Sequence, residues 1–238
     1  MSVVELKDPS RRGESRAAGR AFYGVVRLAS RITFHLWNRM GVSFAAPLRS
    51  DGPVVIVANH DSMLDGFVLV AAFPERDLTF LSAAHLFERP LVGRFLRAGG
   101  ALPVQSPSGD FGSLKRAIST LQNGGAIAVF PEGGIARTEI LGGAAYLALK
   151  ANALVVPVKI KGAREALPLG RALPRRTPIE VVVGKPFGVS TSVPSARTSK
   201  LEVSHATADL ERRLTGFWSD SEPALPLHAV ESRGRHHR

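Results

Sequence analysis

Val54-Val55-Ile56-Val57-Ala58-Asn59-His60-Asp61-Ser62-Met63-Leu64-Asp65 is an apolar run that stops at a histidine, with an acid five residues further on. A run of β-branched residues reads as a buried strand. His60 should therefore be delivered at the strand's end, where open sheets keep their sites. Asp65 would lie in the first turn of the next helix. If that helix folds back over the strand end, its carboxylate can take the imidazole Nδ1 proton and fix the tautomer, and Nε2 would accept a proton from a substrate. That is a general-base dyad without a side-chain nucleophile. The same residues also fit a structural device: Ser62-x-x-Asp65 ahead of Phe67-Val68-Leu69-Val70 has the form of a helix capping box. A His-x4-Asp spacing arises easily by chance, so the choice rests on the rest of the chain.

Working outward, 238 residues with 45% hydrophobic content suit one domain with appendages. The absence of cysteine rules out disulfides, thiolate metal sites and a cysteine nucleophile, and fits a reducing compartment. We expect no secretory signal and no membrane-spanning run, hence a protein that is soluble or peripheral on the inner, cytoplasmic face of the membrane. The net charge of +11 asks for an acidic partner. Residues 1–15 read as a disordered leader and 16–45 as an amphipathic N-terminal helical segment. At about 100° per residue, Arg16, Arg20, Arg27 and Arg31 fall on one side, while Phe22, Val25, Ala29, Ile32, Leu36 and Met40 fall on the other. Phe34 is on the wrong face. Such a helix suits an anionic bilayer surface, and equally suits packing on the protein's own core. Nucleic acid is a poorer partner, since zinc-finger spacing, RNP-like aromatics and an arginine-rich helix are all missing from the sequence.

From Pro53 to Phe187 strand and helix signals alternate. The strand candidates are 53–59, 78–82, 101–105, 126–131, 154–161 and 179–184; the helical ones are 62–73, 90–98, 111–122 and 140–151. The expected fold is α/β, a single domain at 46–218 with a central mixed sheet covered by helices. Between Ala163 and Pro178 the pattern gives way to a basic surface loop carrying Arg164, Arg171, Arg175 and Arg176, which reads as a solvated face or as a contact for an anionic headgroup or thioester carrier. One more helix is expected at 198–218, and 219–238 reads as a disordered basic tail in which His236-His237 lacks metal-ligand spacing.

A second strand, Ala126-Ile127-Ala128-Val129-Phe130, runs into Pro131-Glu132-Gly133-Gly134, whose glycines would let backbone amides approach a ligand. Together the two elements make the chain resemble the glycerolipid acyltransferases of the lysophosphatidic acid type. Asn59-His60-x4-Asp65 matches that family's first block and Phe130-Pro131-Glu132-Gly133 its third. Residues 86–104 are similar to the second block and Val155-Val156-Pro157-Val158 to the fourth. The resemblance covers roughly residues 50–190 and implies transfer of a fatty acyl group from an acyl-CoA or acyl carrier protein thioester to a hydroxyl of a lipid or small-molecule acceptor at a membrane surface. It implies His60 as base, Asp65 as its orienting acid, and Asn59, Glu132, Gly133 and Gly134 as parts of the substrate cleft. No metal and no resident cofactor are expected.

The chain also departs from the family pattern. Ala83 stands where a lysine is usual, Gln105-Ser106 follows Pro103-Val104 in place of an arginine, and Gly134-Ile135-Ala136 replaces Thr-Arg-Ser. Each lost charge-assisted phosphate bond forfeits roughly 1.5 to 3 kcal/mol. Either Arg137, Arg94 or Arg97 takes over the acceptor's phosphate, or the acceptor carries no phosphate monoester. Three rival readings are weaker. A catalytically silent lipid-surface protein would not need His60 with Asp65. A serine hydrolase would need a Gly-x-Ser-x-Gly elbow, and a metal hydrolase would need more ligands than His60, Asp65 and Glu132.

Overall fold

Strands buried on both faces are written as continuous apolar runs, and three such runs make the centre of this protein. A computed structural model describes residues 9–48, 51–104, 111–131, 137–168, 171, 173–189 and 199–219. The central runs are β2 (Val54–Ala58), β5 (Ala126–Val129) and β6 (Leu154–Lys161), with β2 and β5 buried at every position. Around them lie β1 (Gly41–Phe44), β3 (Leu78–Ala83), β4 (Leu102–Val104), β7 (Glu180–Val183) and β8 (Phe187–Gly188). The order across the sheet is β1-β7-β6-β2-β5-β3-β4, with β8 pairing β6. Strands β6, β2, β5, β3 and β4 run parallel, whereas β7 is antiparallel to β6 and parallel to β1. This is the expected mixed sheet.

The helices are α1 (Pro9–Ile32), α2 (Asp65–Ala72), α3 (Pro90–Ala98), α4 (Phe111–Gln122), α5 (Arg137–Ala151), α6 (Ala163–Ala166) and α7 (Lys200–Ser219). Alternate strand residues point to opposite faces and divide the core in two. Ile56, Ala128, Val156 and Val158 meet Val68 and Leu69 of α2 and Phe34 at the end of α1. Val55, Val57, Ile127 and Val155 meet Leu121 of α4, Leu141 and Ala148 of α5, and Leu210 and Leu214 of α7. Helix α7 starts at a reciprocal capping box, Ser199 Oγ accepting the Glu202 amide and Glu202 Oε2 accepting the Ser199 amide. It is tied down at its end by Trp218, whose indole donates to the Val158 carbonyl.

The N-terminal segment departs most from its sequence reading. Helix α1 begins at Pro9, inside the stretch read as a leader, and ends at Ile32 rather than near Met40. A π-helical turn follows at Thr33–Trp37, and Gly41–Phe44 then leaves the helix altogether to become β1 on the edge of the sheet. Phe34, assigned to the wrong face, is only 3% exposed. The packed stripe is Tyr23, Arg27, Ser30 and Phe34. Tyr23 accepts the Leu78 amide at 2.8 Å, Arg27 pairs with Asp77 at 3.2 Å, and Ser30 is buried. Burial raises the Tyr23 hydroxyl's pKa above its ordinary value. Of the apolar face read from the sequence, Met40 is buried and Phe22 half-buried, but Val25, Ala29, Ile32 and Leu36 are exposed. The helix thus docks by one stripe and turns its main apolar stripe outward. The basic stretch after β6 is not all loop, since it opens with α6, and Gly162 makes that turn at φ 81°. A Cβ on Gly162 would stand 2.1 Å from the Pro178 carbonyl oxygen. The tail beyond Ser219 lies outside the described residues.

Candidate active site

Strand β2 ends because Asn59 replaces the next rung of the ladder with its own side chain. Its Oδ1 accepts the Ile160 amide at 2.7 Å and its Nδ2 donates to the Ile160 carbonyl at 2.9 Å. A further bond of 3.2 Å reaches the Asp61 carboxylate. Asn59, expected in the substrate cleft, is buried, and its amide is committed to β6. With the backbone released from the sheet, the chain turns and His60 emerges at the carboxyl end of β2.

The turn is held by one oxygen. Asp65 Oδ2 accepts the backbone amides of Asp61 and Ser62, each at 2.8 Å, and lies 2.9 Å from His60 Nδ1. The first two bonds organise the helix start, as a capping carboxylate does, and the third orients the imidazole. One carboxylate oxygen thus makes both the helix-start bonds and the imidazole contact. Its partner oxygen Oδ1 is buried and makes no hydrogen bond among the described residues. Asp65 is 1% exposed and His60 is 42% exposed, so the carboxylate is hidden while the ring is open to a reactant. Ser62 donates its hydroxyl to the Leu167 carbonyl and accepts the Leu64 amide. Buried and so occupied, it has the place of a structural turn residue, not a nucleophile.

A third group acts on the ring. Phe130, the residue after β5, stacks on His60 with centroids 4.5 Å apart and planes inclined by 23°. Phe80 of β3 continues the stack, 6.1 Å from Phe130. Because β2, β5 and β3 are neighbours, the stack crosses three strands on one face. The sequence pattern puts Phe130 in the second strand and the third family block without a site role; its signal is its place at the end of a strand that pairs with β2.

The other sequence candidates scatter. Glu132, Gly133 and Gly134 lie outside the described residues, as does the side chain of Arg137 at the start of α5. Arg94 is exposed on α3. Arg97, offered as a phosphate ligand, donates to the Phe87 carbonyl at 2.7 Å and lies over the Phe87 ring. Ala83 ends β3 and is exposed.

Residues 39–161 match the Acyltransferase family model, a span that holds the His60–Asp65 pair and both stacked phenylalanines. The chain belongs to that family. Its relatives include a chloroplastic 1-acyl-sn-glycerol-3-phosphate acyltransferase of Arabidopsis thaliana, 27% identical over 192 residues, which is 77% of this chain and 51% of the relative. A 1-acyl-sn-glycerol-3-phosphate acyltransferase of Bacillus subtilis is 24% identical over 142 residues, covering 59% of this chain and 69% of the relative. This chain spans about half the length of the first curated relatives it matches. Among solved structures, PlsC of Thermotoga maritima, an acyltransferase acting on 1-acyl-sn-glycerophosphate, superposes with a TM-score of 0.51 at 20% identity. The match covers 90% of this chain and 84% of that one, and it places the two proteins in one fold.

Proposed function

We propose that this member of the acyltransferase family moves a fatty acyl group from an acyl-CoA or acyl carrier protein thioester to a hydroxyl of a lipid or small-molecule acceptor. The supporting observation is the 2.9 Å contact of His60 Nδ1 with a buried Asp65 at the carboxyl edge of the sheet. With Nδ1 turned to the carboxylate, Nε2 takes the hydroxyl proton as the oxygen attacks the thioester carbonyl. The new C–O bond forms, the C–S bond breaks, and the imidazolium returns its proton to the departing thiolate. Asp65 stabilises the imidazolium in between. Oxyanion donors are expected from the backbone near Gly133 and Gly134, with Glu132 shaping the acceptor side.

The acyltransferase unit we propose runs from β1 through α7, with α1 as an attachment helix. Attachment to an anionic membrane is supported by the net charge of +11 and by the exposed stripe of Val25, Leu28, Ile32 and Leu36. No helix among the described residues is long and apolar enough to cross a membrane. We place the protein peripherally, on the inner face.

The names of the relatives favour a glycerol-phosphate acceptor. One observation favours an acceptor without a phosphate monoester: Arg97 is already committed to Phe87, beside a strand that ends in Ala83 where the family has lysine. Full-length protein with one acyl-CoA and a panel of lysophosphatidic acid, neutral and aminated lipids decides between them by thiol release and product mass. Faster turnover of lysophosphatidic acid than of the neutral or aminated lipids would overturn the second reading. His60→Ala should lower thiol release by roughly 10²- to 10⁴-fold with every acceptor, and undiminished release would end the proposal itself.

A further inference from the structure

The pairing of β1 and β7 puts a second site on the same edge of the sheet as His60. Lys161 at the end of β6 is level with Glu180, and Glu180 with Gly41, so the starts of β7 and β1 flank the end of β2. Three strand spacings, roughly 15 Å, separate β1 from β2. Just beyond the start of β1 is a cavity of about 220 Å³ lined by Trp37, Asn38, Arg39, Arg176 and Pro178. By volume it has room for roughly seven waters.

Its walls are fixed by the protein. Asn38 is 1% exposed, and its Nδ2 donates to the carbonyls of Arg175 and Thr177 at 2.9 and 2.8 Å, the two residues flanking Arg176. The Arg176 guanidinium is thereby brought over the Trp37 ring, 5.8 Å from its centroid. Arg39 holds a backbone φ of 48°, in the left-handed region that side-chain-bearing residues rarely adopt. Asn38 Oδ1 is buried and makes no hydrogen bond among the described residues. Among the described residues, the lining thus combines two arginines with no carboxylate.

We infer that this cavity binds the phosphate of an anionic phospholipid headgroup. It would thereby fix how the protein sits on the bilayer, a role separate from the acyl-transfer reading and independent of its outcome. Two arginine forks suit a phosphate oxyanion. The source is lipid because the cavity adjoins the outward apolar stripe: Leu36 and Trp37 next to it are 72% and 49% exposed, and Leu173 on the facing segment is 76% exposed. Trp37 already faces Arg176, which leaves it a poor platform for stacking a nucleotide base.

The test uses the full chain and vesicles of phosphatidylcholine with and without 30% phosphatidylglycerol, at about 150 mM salt. The Arg39→Gln/Arg176→Gln pair should lose at least tenfold in affinity for the phosphatidylglycerol vesicles. The Arg164→Gln/Arg171→Gln pair, with the same loss of charge on the same rim, should stay within threefold. Arg176→Lys, which keeps charge and loses the fork, should fall between wild type and the double variant. Circular dichroism melting confirms that each variant is folded. Equal losses in the two pairs would mean a diffuse field and no site, and unchanged affinity in Arg39→Gln/Arg176→Gln would remove the cavity altogether. Either result overturns the inference. So would millimolar coenzyme A or inorganic phosphate binding to the free protein in an Arg39- and Arg176-dependent way while vesicle binding stayed unaffected.

Discussion

Two corners on one edge of the sheet are built in opposite ways. At the His60 corner, the bonds that orient the ring lie within a short stretch of chain: Asp65 collects the amides of Asp61 and Ser62 and the imidazole of His60 on one buried oxygen. At the Trp37 corner, the organising bonds join residues that are 137 and 139 positions apart. The first corner hides its charge and exposes a ring. The second hides an amide and exposes two guanidinium groups and a tryptophan. A base must hold one orientation through a reaction, so it needs local, overdetermined geometry. A surface that meets a bilayer needs reach and charge, which come from loops laid side by side by the sheet.

Altering Asp65 gives the largest effects because it serves both helix start and ring. Asp65→Asn keeps an oxygen for the amides of Asp61 and Ser62 and for the His60 Nδ1 proton, but loses the charge opposite the imidazolium. Turnover should fall by about 10²-fold or more with little change in melting temperature. Asp65→Ala should lose as much turnover and also destabilise the fold, by about 1–3 kcal/mol for each backbone amide left without an acceptor. Denaturant unfolding beside initial rates separates the two. If Asp65→Asn turned over as fast as wild type, the carboxylate would be only a cap, and the contrast between the corners would vanish.

That contrast also explains what could be read in advance. The His60–Asp65 geometry was legible because five residues of local chain decide it, and β2, β5 and β6 were legible because strands buried on both faces have to be apolar throughout. Asn59 could not be read, since its partner Ile160 is 101 residues away. Phe34 lies seven residues from Arg27 on the same side of the helix, and that side is the one that docks, so a phenylalanine out of place on a basic face was the mark of the buried stripe. Val25, Ile32 and Leu36 were read correctly as one stripe; what local pattern could not give is that the Tyr23 stripe would dock instead. Gly41–Phe44 was missed as a strand because its partner, β7, comes so late in the chain.

Phe130 sharpens the comparison at a smaller scale, as a long-range element serving the local corner. It acts through His60 and is a positioning residue. A stacked aromatic pair contributes about 0.5–1.5 kcal/mol beyond burial, which in a rate is a factor of roughly two to ten. Phe130→Leu should therefore lower kcat by up to roughly tenfold and leave KM for the acyl donor nearly unchanged, while Phe130→Tyr restores the rate. A loss confined to KM, or a failure of tyrosine to rescue, would make the ring a wall of the cleft and not a brace for the imidazole.

The smallest expected effect lies at the amino edge of the sheet, where Tyr23 pins α1, the helix that leads to the other corner, to Leu78. Burial raises the folded-state pKa of its hydroxyl above the ordinary 10.0, so the group binds its proton more tightly folded than unfolded. Stability from this group is therefore fully present below pH 10.0 and is lost as pH rises through the folded value. Denaturant unfolding across that alkaline range should show a decline in wild type. In Tyr23→Phe this part of the decline should be missing, from a lower starting stability because the Leu78 amide loses its acceptor. If Tyr23→Phe matched wild type in starting stability, the tyrosine would not be what anchors α1, and the outward apolar stripe would owe its position to Phe34 and the Arg27–Asp77 pair.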